Sequence, residues 1–292
     1  MKFDSHYAKL WERASERIDD LGIYRWIVNI AGIGPKDSVW DRGCGPGRGL
    51  LRVCEVSNPN NSLILGTDQN EFLLKSAKDR MEKNGYAVNY QYKPMVSIPS
   101  VIEDKFTSEK MEYEYKVFDN SSTELEEGKV NLIGNNYLTS RYEFVKGHEF
   151  DKVMFVFIGG YRLQSDFDLV KEILLHSYSY LKDNGIFLYV NREWVTPKTE
   201  LDEFPQKILK VVKGYELIDY GFEESIENYA AALFPLQNVS DFSQHFRSRE
   251  VANKYVKYLN STSFENFVDF LTEVSWNNDL SMGLCFYKFR KV

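Results

Sequence analysis

The chain alternates between short apolar runs and longer stretches in which apolar residues recur at helical spacing. The apolar runs suit strands buried on both faces of a sheet, and the amphipathic stretches suit helices that cover it. Predicted strands lie within residues 38–41, 62–68, 129–136, 150–160, 186–191, 215–222 and 283–290. Predicted helices cover residues 5–20, 23–30, 50–55, 70–84, 165–181 and 200–213. This alternation predicts an α/β fold, with a doubly wound, mostly parallel sheet of seven strands.

The helices before the first strand, within residues 1–34, form a separate element in this pattern. Tyr7 and Trp11 lie four residues apart on the apolar face of the first helix, and Gly32 and Gly34 form a joint before the sheet begins. We expect residues 1–34 to be a helical lid in which Tyr7 and Trp11 contact a substrate. The alternative is that these aromatic side chains only dock the helix on the sheet.

Two further segments interrupt the main domain, which we place at residues 35–292. Residues 86–128 lie between the helix at 70–84 and the third predicted strand. Residues 226–276 separate the last two strands and contain helical runs at 242–259 and 264–274. Long excursions of this kind inside a compact domain are usually functional or disordered. We expect the two insertions to form a cap over an acceptor site.

A glycine-rich turn follows the first strand. Asp41 ends that strand, and Gly43, Gly45 and Gly47 follow at alternate positions, which allows a tight turn and close approach to a ligand. Asp68 ends the second strand, where an acid can accept both hydroxyls of a ribose. The dinucleotide pattern G-x-G-x-x-G fails in either frame, and Asp41 would repel a pyrophosphate but attract a cationic amino-acid ligand.

The run from Val39 to Gly47 resembles the first motif of the class I S-adenosylmethionine (SAM) methyltransferases. The resemblance implies a Rossmann-like sheet with an antiparallel last strand, and SAM as cofactor, with S-adenosylhomocysteine as product. It also implies a set of cofactor-binding residues: Asp41, Gly43, Cys44, Gly45 and Gly47 for the amino-acid end, Asp68 and Gln69 for the ribose, Asn135 and Asn136 for the adenine, and Phe157 at the end of the fourth strand. An ordinary glycine loop in another α/β protein is the alternative.

Two residues depart from the family's pattern. Arg42 stands where an aliphatic residue is usual, and three roles stay open for it: solvation, pairing with an acid, or binding a carboxylate of cofactor or substrate. Asn135 stands where an aspartate is common, although its amide oxygen can also accept from the adenine amino group.

Composition narrows the function further. The 292 residues carry a net charge of −7, which disfavours nucleic acid as a partner held through its phosphates. The three cysteines form no C-x-x-C pair, so no metal site is expected. No apolar run approaches the roughly 20 residues that span a membrane, and the start shows no signal sequence, so we expect a cytoplasmic protein.

The acceptor side is less specified than the cofactor side. Methyl transfer needs alignment and exclusion of water, and a general base only for some acceptors. The weak candidates for such a base are His6, His245 and Glu193. Tyr161, Arg162 and Arg192 follow the fourth and fifth strands, where the arginines could bind an anionic acceptor, although the pattern favours rim charges paired with acids.

The sequence as a whole predicts a SAM-dependent methyltransferase that acts on O or N of a small molecule, as a monomer or homodimer. One alternative is a protein or RNA methyltransferase whose insertions hold a macromolecule. Another alternative is a catalytically silent binding subunit, because Arg42 and Asn135 depart from the family's pattern. The Asn/Asp-Pro-Pro-Tyr signature of methyltransferases acting on nucleobases or glutamine is absent, because Phe157-Ile158-Gly159-Gly160 stands in its place.

Overall fold

A computed structural model of the chain describes residues 5–93, 95–103, 110–118, 120, 122–135, 143–157, 163–195, 199–233, 263–278 and 281–292. The helices are α1 (Ser5–Asp20), α2 (Ile23–Ala31), α3 (Arg48–Val56), α4 (Glu71–Lys83), α5 (Leu163–Tyr178), α6 (Thr199–Val211), α7 (Ile226–Leu233) and α8 (Phe264–Asn278). The strands are β1 (Val39–Arg42), β2 (Ile64–Asp68), β3 (Val88–Gln91), β4 (Met95–Glu103), β5 (Lys110–Phe118), β6 (Val130–Gly134), β7 (Phe150–Val156), β8 (Leu181–Val195), β9 (Tyr215–Glu224) and β10 (Ser281–Lys291).

Eight of these strands form one sheet in the order β3-β6-β2-β1-β7-β8-β10-β9. In this order, each neighbouring pair from β3 through β6, β2, β1 and β7 to β8 is parallel. The strand β10 is antiparallel to both β8 and β9. The predicted fold class is confirmed, including the antiparallel last strand. All seven predicted strands are present, and β3 adds an eighth at the edge.

Helices cover both faces of the sheet. One apolar core joins the sheet to α2, α3 and α4, and includes Val39, Leu50 and Leu188. The other joins the opposite face to α5 and α6, and includes Trp40 and Phe155. Because successive side chains of a strand point to opposite faces, Asp41 shares its face with Val39, and Arg42 shares its face with Trp40.

The added strand β3 is held by polar side chains, which is why its apolar pattern is weak. Asn89 lies beside Asn131 in the parallel ladder, and its amide donates to the Asn131 amide oxygen at 2.8 Å and to the Glu124 carbonyl at 2.9 Å. The Asn131 amide in turn donates to the carbonyl of Glu126 at 3.1 Å. These side-chain hydrogen bonds hold the loop that leads into β6.

The first insertion is therefore partly sheet. After β3, the strands β4 and β5 pair with each other as an antiparallel ribbon, from Met95 opposite Phe118 to Glu103 opposite Lys110. Since β3 is parallel to its neighbour β6, the chain leaves for this ribbon at the edge where the parallel strands end. The role of the ribbon as an acceptor cap stays a prediction.

The remaining predicted helices agree closely with the structure, with one correction. The helix predicted to reach Leu181 ends at Tyr178, and Leu181 instead pairs with Phe150 as the first residue of β8. The second predicted run of the later insertion is α8, and the run at 242–259 lies outside the described residues. No helix in the described ranges is both long and apolar enough to cross a bilayer.

Candidate cofactor and active site

The turn after β1 has the conformation that only glycine adopts without strain. Gly43, Gly45 and Gly47 have φ angles of 87°, 53° and 77°. A Cβ at Gly47 would lie 2.7 Å from the Cβ of Ala77 in α4, so the turn also packs too closely for a side chain there. The backbone N–H groups of Gly43 and Cys44 donate to the carbonyl of Thr67, at 2.7 and 2.9 Å, which ties the turn to β2.

Asp68 lies at the tip of β2 and is held by backbone donors. Its Oδ2 accepts from the Gly45 N–H at 3.0 Å, and its Oδ1 accepts from the Asn70 N–H at 2.8 Å. Burial raises the pKa of Asp68 to about 6, although these N–H groups oppose the shift. Each carboxylate oxygen has a second lone pair, so both can still accept from a ligand hydroxyl.

Asp41 is buried without such support. The residue is 5 % exposed, and no donor or cation within the described ranges contacts its carboxylate. Burial, followed by the negative charge of Asp68, raises the pKa of Asp41 to about 7. Its other near neighbours are the ring of Tyr24 and Gly49 at the start of α3, where Oδ2 would lie 3.8 Å from an added Cβ. Burying an unpaired carboxylate costs free energy, which a bound cation would recover.

Asn135 follows β6, beside the Asp68 tip. Its backbone N–H donates to the Asp68 carbonyl at 3.0 Å. The side chain is buried, and neither its amide oxygen nor its amide nitrogen has a hydrogen-bond partner among the described residues. A buried amide in this state is suited to a ligand that both donates and accepts. Asn136 lies outside the described residues.

Two other predicted cofactor residues act through packing or backbone. The buried Cys44 thiol packs against β2, where a Cβ on Gly66 would lie 2.9 Å from Sγ, and burial raises its pKa well above the ordinary value. The carbonyl of Gln69 accepts a hydrogen bond from the Tyr92 hydroxyl at 3.0 Å. Cys44 and Gln69 thus shape the site from the loop.

Phe157 directly follows β7 and has a φ angle of 55°, in the left-handed region that residues with large side chains rarely adopt. Its N–H donates to the Val190 carbonyl at 2.9 Å, and its buried ring meets that of Tyr24 edge-on, with centroids 6.5 Å apart. Backbone conformations of this kind concentrate at functional sites. Through Tyr24, the end of β7 connects to the surroundings of Asp41.

The charged residues of β8 are buried, whereas the sequence predicted exposed charges at the rim of the site. Arg192 is 1 % exposed and donates to the Ala232 carbonyl of α7 at 3.4 Å, so the expectation of an exposed rim charge is wrong. Glu193 is also buried, on the other face of the sheet. Burial is the main cause that raises the pKa of Tyr287, and the charge of Glu193 adds to it. Substrate binding by Arg192 and catalysis by Glu193 stay predictions.

Arg42 is not solvated, and the partners that the described residues offer it are a hydroxyl and a carbonyl rather than an acid. It is fully buried on the α5 face, where its guanidinium donates to the Ser177 hydroxyl at 2.9 Å and to the Ile173 carbonyl at 3.4 Å. The guanidinium also lies over the Trp40 ring, 4.7 Å from its centroid. Arg42 therefore points away from the glycine turn.

The first helix lies against the glycine turn and α4. Glu12 pairs with Arg48 and Arg80, and Arg80 also donates to the Pro46 carbonyl within the turn. Trp11 is half-buried and packs against the core that holds α2 and α3. The side chains of His6 and Tyr7 lie outside what the structure describes, as do residues Tyr161, Arg162 and His245.

Sequence reasoning missed three residues that shape this region: Tyr24, Tyr92 and Asn120. Tyr24 and Asp41 both lie beside Gly49. The side chains of Tyr92 and Asn120 donate hydrogen bonds to the loop after β2 and to the last residue of β6. Tyr24 fits the amphipathic pattern of its helix, so the sequence does not distinguish a residue of the site from an ordinary packing residue at this position. Among the described residues, no three His, Cys, Asp or Glu side chains lie close enough to hold a metal ion.

Comparison with known proteins identifies the fold. No family model matches the chain, and no curated protein matches its sequence. Among solved structures, coclaurine N-methyltransferase bound to N-methylheliamine and SAH is similar with a TM-score of 0.50 at 11% identity, over 93% of this chain and 72% of that one. The cyclopropane synthase MmaA2 from Mycobacterium tuberculosis is similar with a TM-score of 0.50 at 11% identity, over 93% of this chain and 84% of its own.

A third structure, a candidate methyltransferase from Bacillus halodurans C-125, has a TM-score of 0.51 at 11% identity, over 92% of this chain and 97% of its own. At such low identities the similarity shows the fold alone. The resemblance stated from the glycine motif is confirmed at that level: the chain has the fold of the class I SAM-dependent methyltransferases.

Proposed function

We propose that this protein is a SAM-dependent methyltransferase whose acceptor is O or N of a small molecule. The observation that carries the proposal is the pair of acids at neighbouring strand tips: Asp41 has no partner among the described residues, and the oxygens of Asp68 keep lone pairs that a ligand can use. A ligand with a cationic amino-acid end and a ribose would satisfy both acids at once. The buried amide of Asn135, for which the described residues offer no partner, is suited to an adenine edge beside them.

The residues present therefore fit the cofactor. Asp41 would bind the ammonium group, Asp68 the ribose hydroxyls, and the amide oxygen of Asn135 the adenine amino group. When bound, SAM would supply an electrophilic methyl carbon on its sulfonium, with S-adenosylhomocysteine as the leaving group when an acceptor attacks in line. The chain's contribution is to hold the two ends of the cofactor, exclude water and orient the acceptor.

Separate observations support a small-molecule acceptor. The net charge of −7 argues against a nucleic-acid substrate. Coclaurine N-methyltransferase, by its name, methylates nitrogen of a small molecule on the same fold. Arg42 was one of the two departures from the family's pattern that allowed a catalytically silent subunit. Its guanidinium donates to α5 on the opposite face of the sheet, and so it leaves the glycine turn unobstructed.

The test is a calorimetric titration of the full chain with SAM and with S-adenosylhomocysteine, followed by transfer of a labelled methyl group to a size-fractionated cell extract. We expect binding of both ligands, and label in the low-mass fraction. Label in protein or RNA would favour a macromolecular acceptor. Binding without transfer to any fraction would favour a silent subunit, and no binding of either ligand would overturn the proposal.

A further inference from the structure

We propose that two residues of the first insertion, Tyr92 and Asn120, are positioning residues for the adenosine half of the cofactor. This inference rests on the proposed function. The two residues lie at the base of the ribbon formed by β4 and β5, one before it and one after it. Each donates a side-chain hydrogen bond to a backbone carbonyl beside the predicted ribose and adenine site.

Tyr92 fixes the loop after β2. Its hydroxyl donates to the Gln69 carbonyl at 3.0 Å, within the turn where Asp68 accepts from the Asn70 N–H. Burial, with the charges of Glu71 and Asp68, raises the pKa of Tyr92, so the hydroxyl keeps its proton and remains a donor. The orientation of the Asp68 carboxylate therefore depends on a side chain from the insertion.

Asn120 fixes the end of β6 in the same way. Its amide donates to the Gly134 carbonyl at 3.1 Å, and the residue is 3 % exposed. Thr123 holds it in place by donating from its hydroxyl to the Asn120 amide oxygen, at 3.3 Å. Gly134 immediately precedes Asn135, whose N–H donates to the Asp68 carbonyl, so the two fixed loops are bonded to each other.

The packing at this point leaves no room for a side chain at position 134. A Cβ on Gly134 would lie 2.6 Å from the Tyr92 ring and 3.1 Å from the Phe118 ring. These two rings meet edge-on, with centroids 5.4 Å apart, and so close the base of the ribbon over the end of β6. The insertion is thus built into the wall next to Asp68 and Asn135, and we expect it to set the affinity for the adenosine half.

The experiment uses the full chain and compares Tyr92→Phe with Tyr90→Phe. Tyr90 is the matched control, because it lies in β3 two residues earlier and its buried hydroxyl has no partner among the described residues. Calorimetry measures the Kd of S-adenosylhomocysteine and of its 2′-deoxy and inosine analogues for each variant, and thermal unfolding checks that each is folded. Asn120→Ala is a second test, since it removes the other hydrogen bond through a different side chain.

We expect Tyr92→Phe to weaken binding of S-adenosylhomocysteine about 5- to 10-fold, the effect of one lost hydrogen bond, and that of the deoxy analogue less than about 2-fold. Asn120→Ala should instead weaken S-adenosylhomocysteine more than its inosine analogue, because Asn120 holds the strand end before Asn135, and Tyr90→Phe should leave both preferences unchanged. Equal weakening of S-adenosylhomocysteine and the matching analogue, or no weakening in either test variant, would overturn the inference, because a purely structural residue does not distinguish the ligands. Wild-type protein that binds neither ligand would overturn the proposed function, and this inference with it.

Discussion

Acidic and basic side chains buried in the central sheet are treated in opposite ways. At the tips of β1 and β2, the carboxylate of Asp41 is buried without a partner in the described chain, and Asp68 is held only by backbone N–H groups. The guanidiniums of Arg42, which follows Asp41 in β1 on the opposite face, and of Arg192 in β8 are buried and donate to carbonyl or hydroxyl groups of the covering helices. A buried charge that the protein satisfies is part of the fold, whereas one it leaves unsatisfied is available to a ligand.

The largest expected effect is on stability. Arg42→Ala should lower the free energy of unfolding by about 2–4 kcal/mol, because it empties a packed site and removes the bond to Ser177. Denaturant unfolding measures this. Arg290→Ala is the control: it breaks an exposed pair with Glu216, worth less than about 1 kcal/mol. If Arg42→Ala instead loses cofactor affinity at unchanged stability, the assignment of Arg42 to the fold is wrong.

Asp68→Ala should act on binding. Loss of charge-assisted hydrogen bonds to the ribose should cost about 1.5–3 kcal/mol of cofactor affinity, roughly 10- to 150-fold in Kd. Calorimetry with S-adenosylhomocysteine measures it, with Asp183→Asn as control because Asp183 is almost fully exposed. Unchanged affinity in Asp68→Ala would remove Asp68 from the site.

Asp41→Asn should trade affinity for stability. A carboxyl with a higher pKa in the folded state favours folding while it is protonated. That contribution is present below about pH 4 and is lost as the pH rises towards the folded-state value of about 7. The variant should therefore gain about 1–3 kcal/mol over the wild type at pH 8, with little gain at pH 4, while binding S-adenosylhomocysteine more weakly.

Calorimetric unfolding at the two pH values measures this gain, and Asp183→Asn should show none. The wild type should also release a proton when it binds the cofactor near pH 6, because the ammonium requires ionised Asp41. The heat of binding should then vary with the ionisation enthalpy of the buffer. A stability gap that does not change with pH would show that Asp41 is ionised at no cost in the free protein.

Asn135→Leu should weaken S-adenosylhomocysteine binding by about 5- to 10-fold, the effect of one hydrogen bond. Stability should change little, since the amide has no partner in the described chain. The specific readout is the preference for S-adenosylhomocysteine over its inosine analogue, which lacks the amino group. Asn135→Asp, which keeps an acceptor, should retain that preference. Equal behaviour of all three proteins would place the adenine elsewhere.

The smallest expected change in a binding experiment is in the hydrogen exchange of α1, the proposed lid. Hydrogen exchange of residues 5–20 should slow a few-fold when S-adenosylhomocysteine binds, since a lid gains contacts in the closed state. The ion pairs of Glu12 with Arg48 and Arg80 are the contacts that would be strengthened. Deleting residues 1–20 should abolish turnover while the sheet stays folded. Equal and strong protection with and without ligand would make α1 a structural helix.

The cofactor half could be predicted from the sequence because its signals are local. The three glycines need positive φ angles within a few residues, and Asp41 and Asp68 each end an apolar strand. The direction of Arg42 was also within reach, since strand alternation places it on the same face as Trp40. The exposed-rim expectation for Arg192 failed because its partner, the Ala232 carbonyl, is 40 residues away along the chain.

The contribution of the first insertion was out of reach for a different reason. The strand β3 depends on the pairing of Asn89 with Asn131, two polar residues that no hydrophobic pattern connects. The bonds from Tyr92 and Asn120 go to backbone carbonyls, which every residue carries, so the sequence gives no sign of which are used. Pairings of this kind become visible only when the strands are in register.

The contact between Gly47 and Ala77 has a consequence for how this chain can evolve. A Cβ at position 47 would lie 2.7 Å from that of Ala77, so a side chain at position 47 would need the space that Ala77 occupies. The left-handed backbone at Gly47 also disfavours the exchange in which the glycine and the alanine swap places. Ala77 is itself fully buried, so a larger residue at position 77 would have to displace its neighbours. That alanine, remote in sequence, therefore belongs to the packing of the glycine turn.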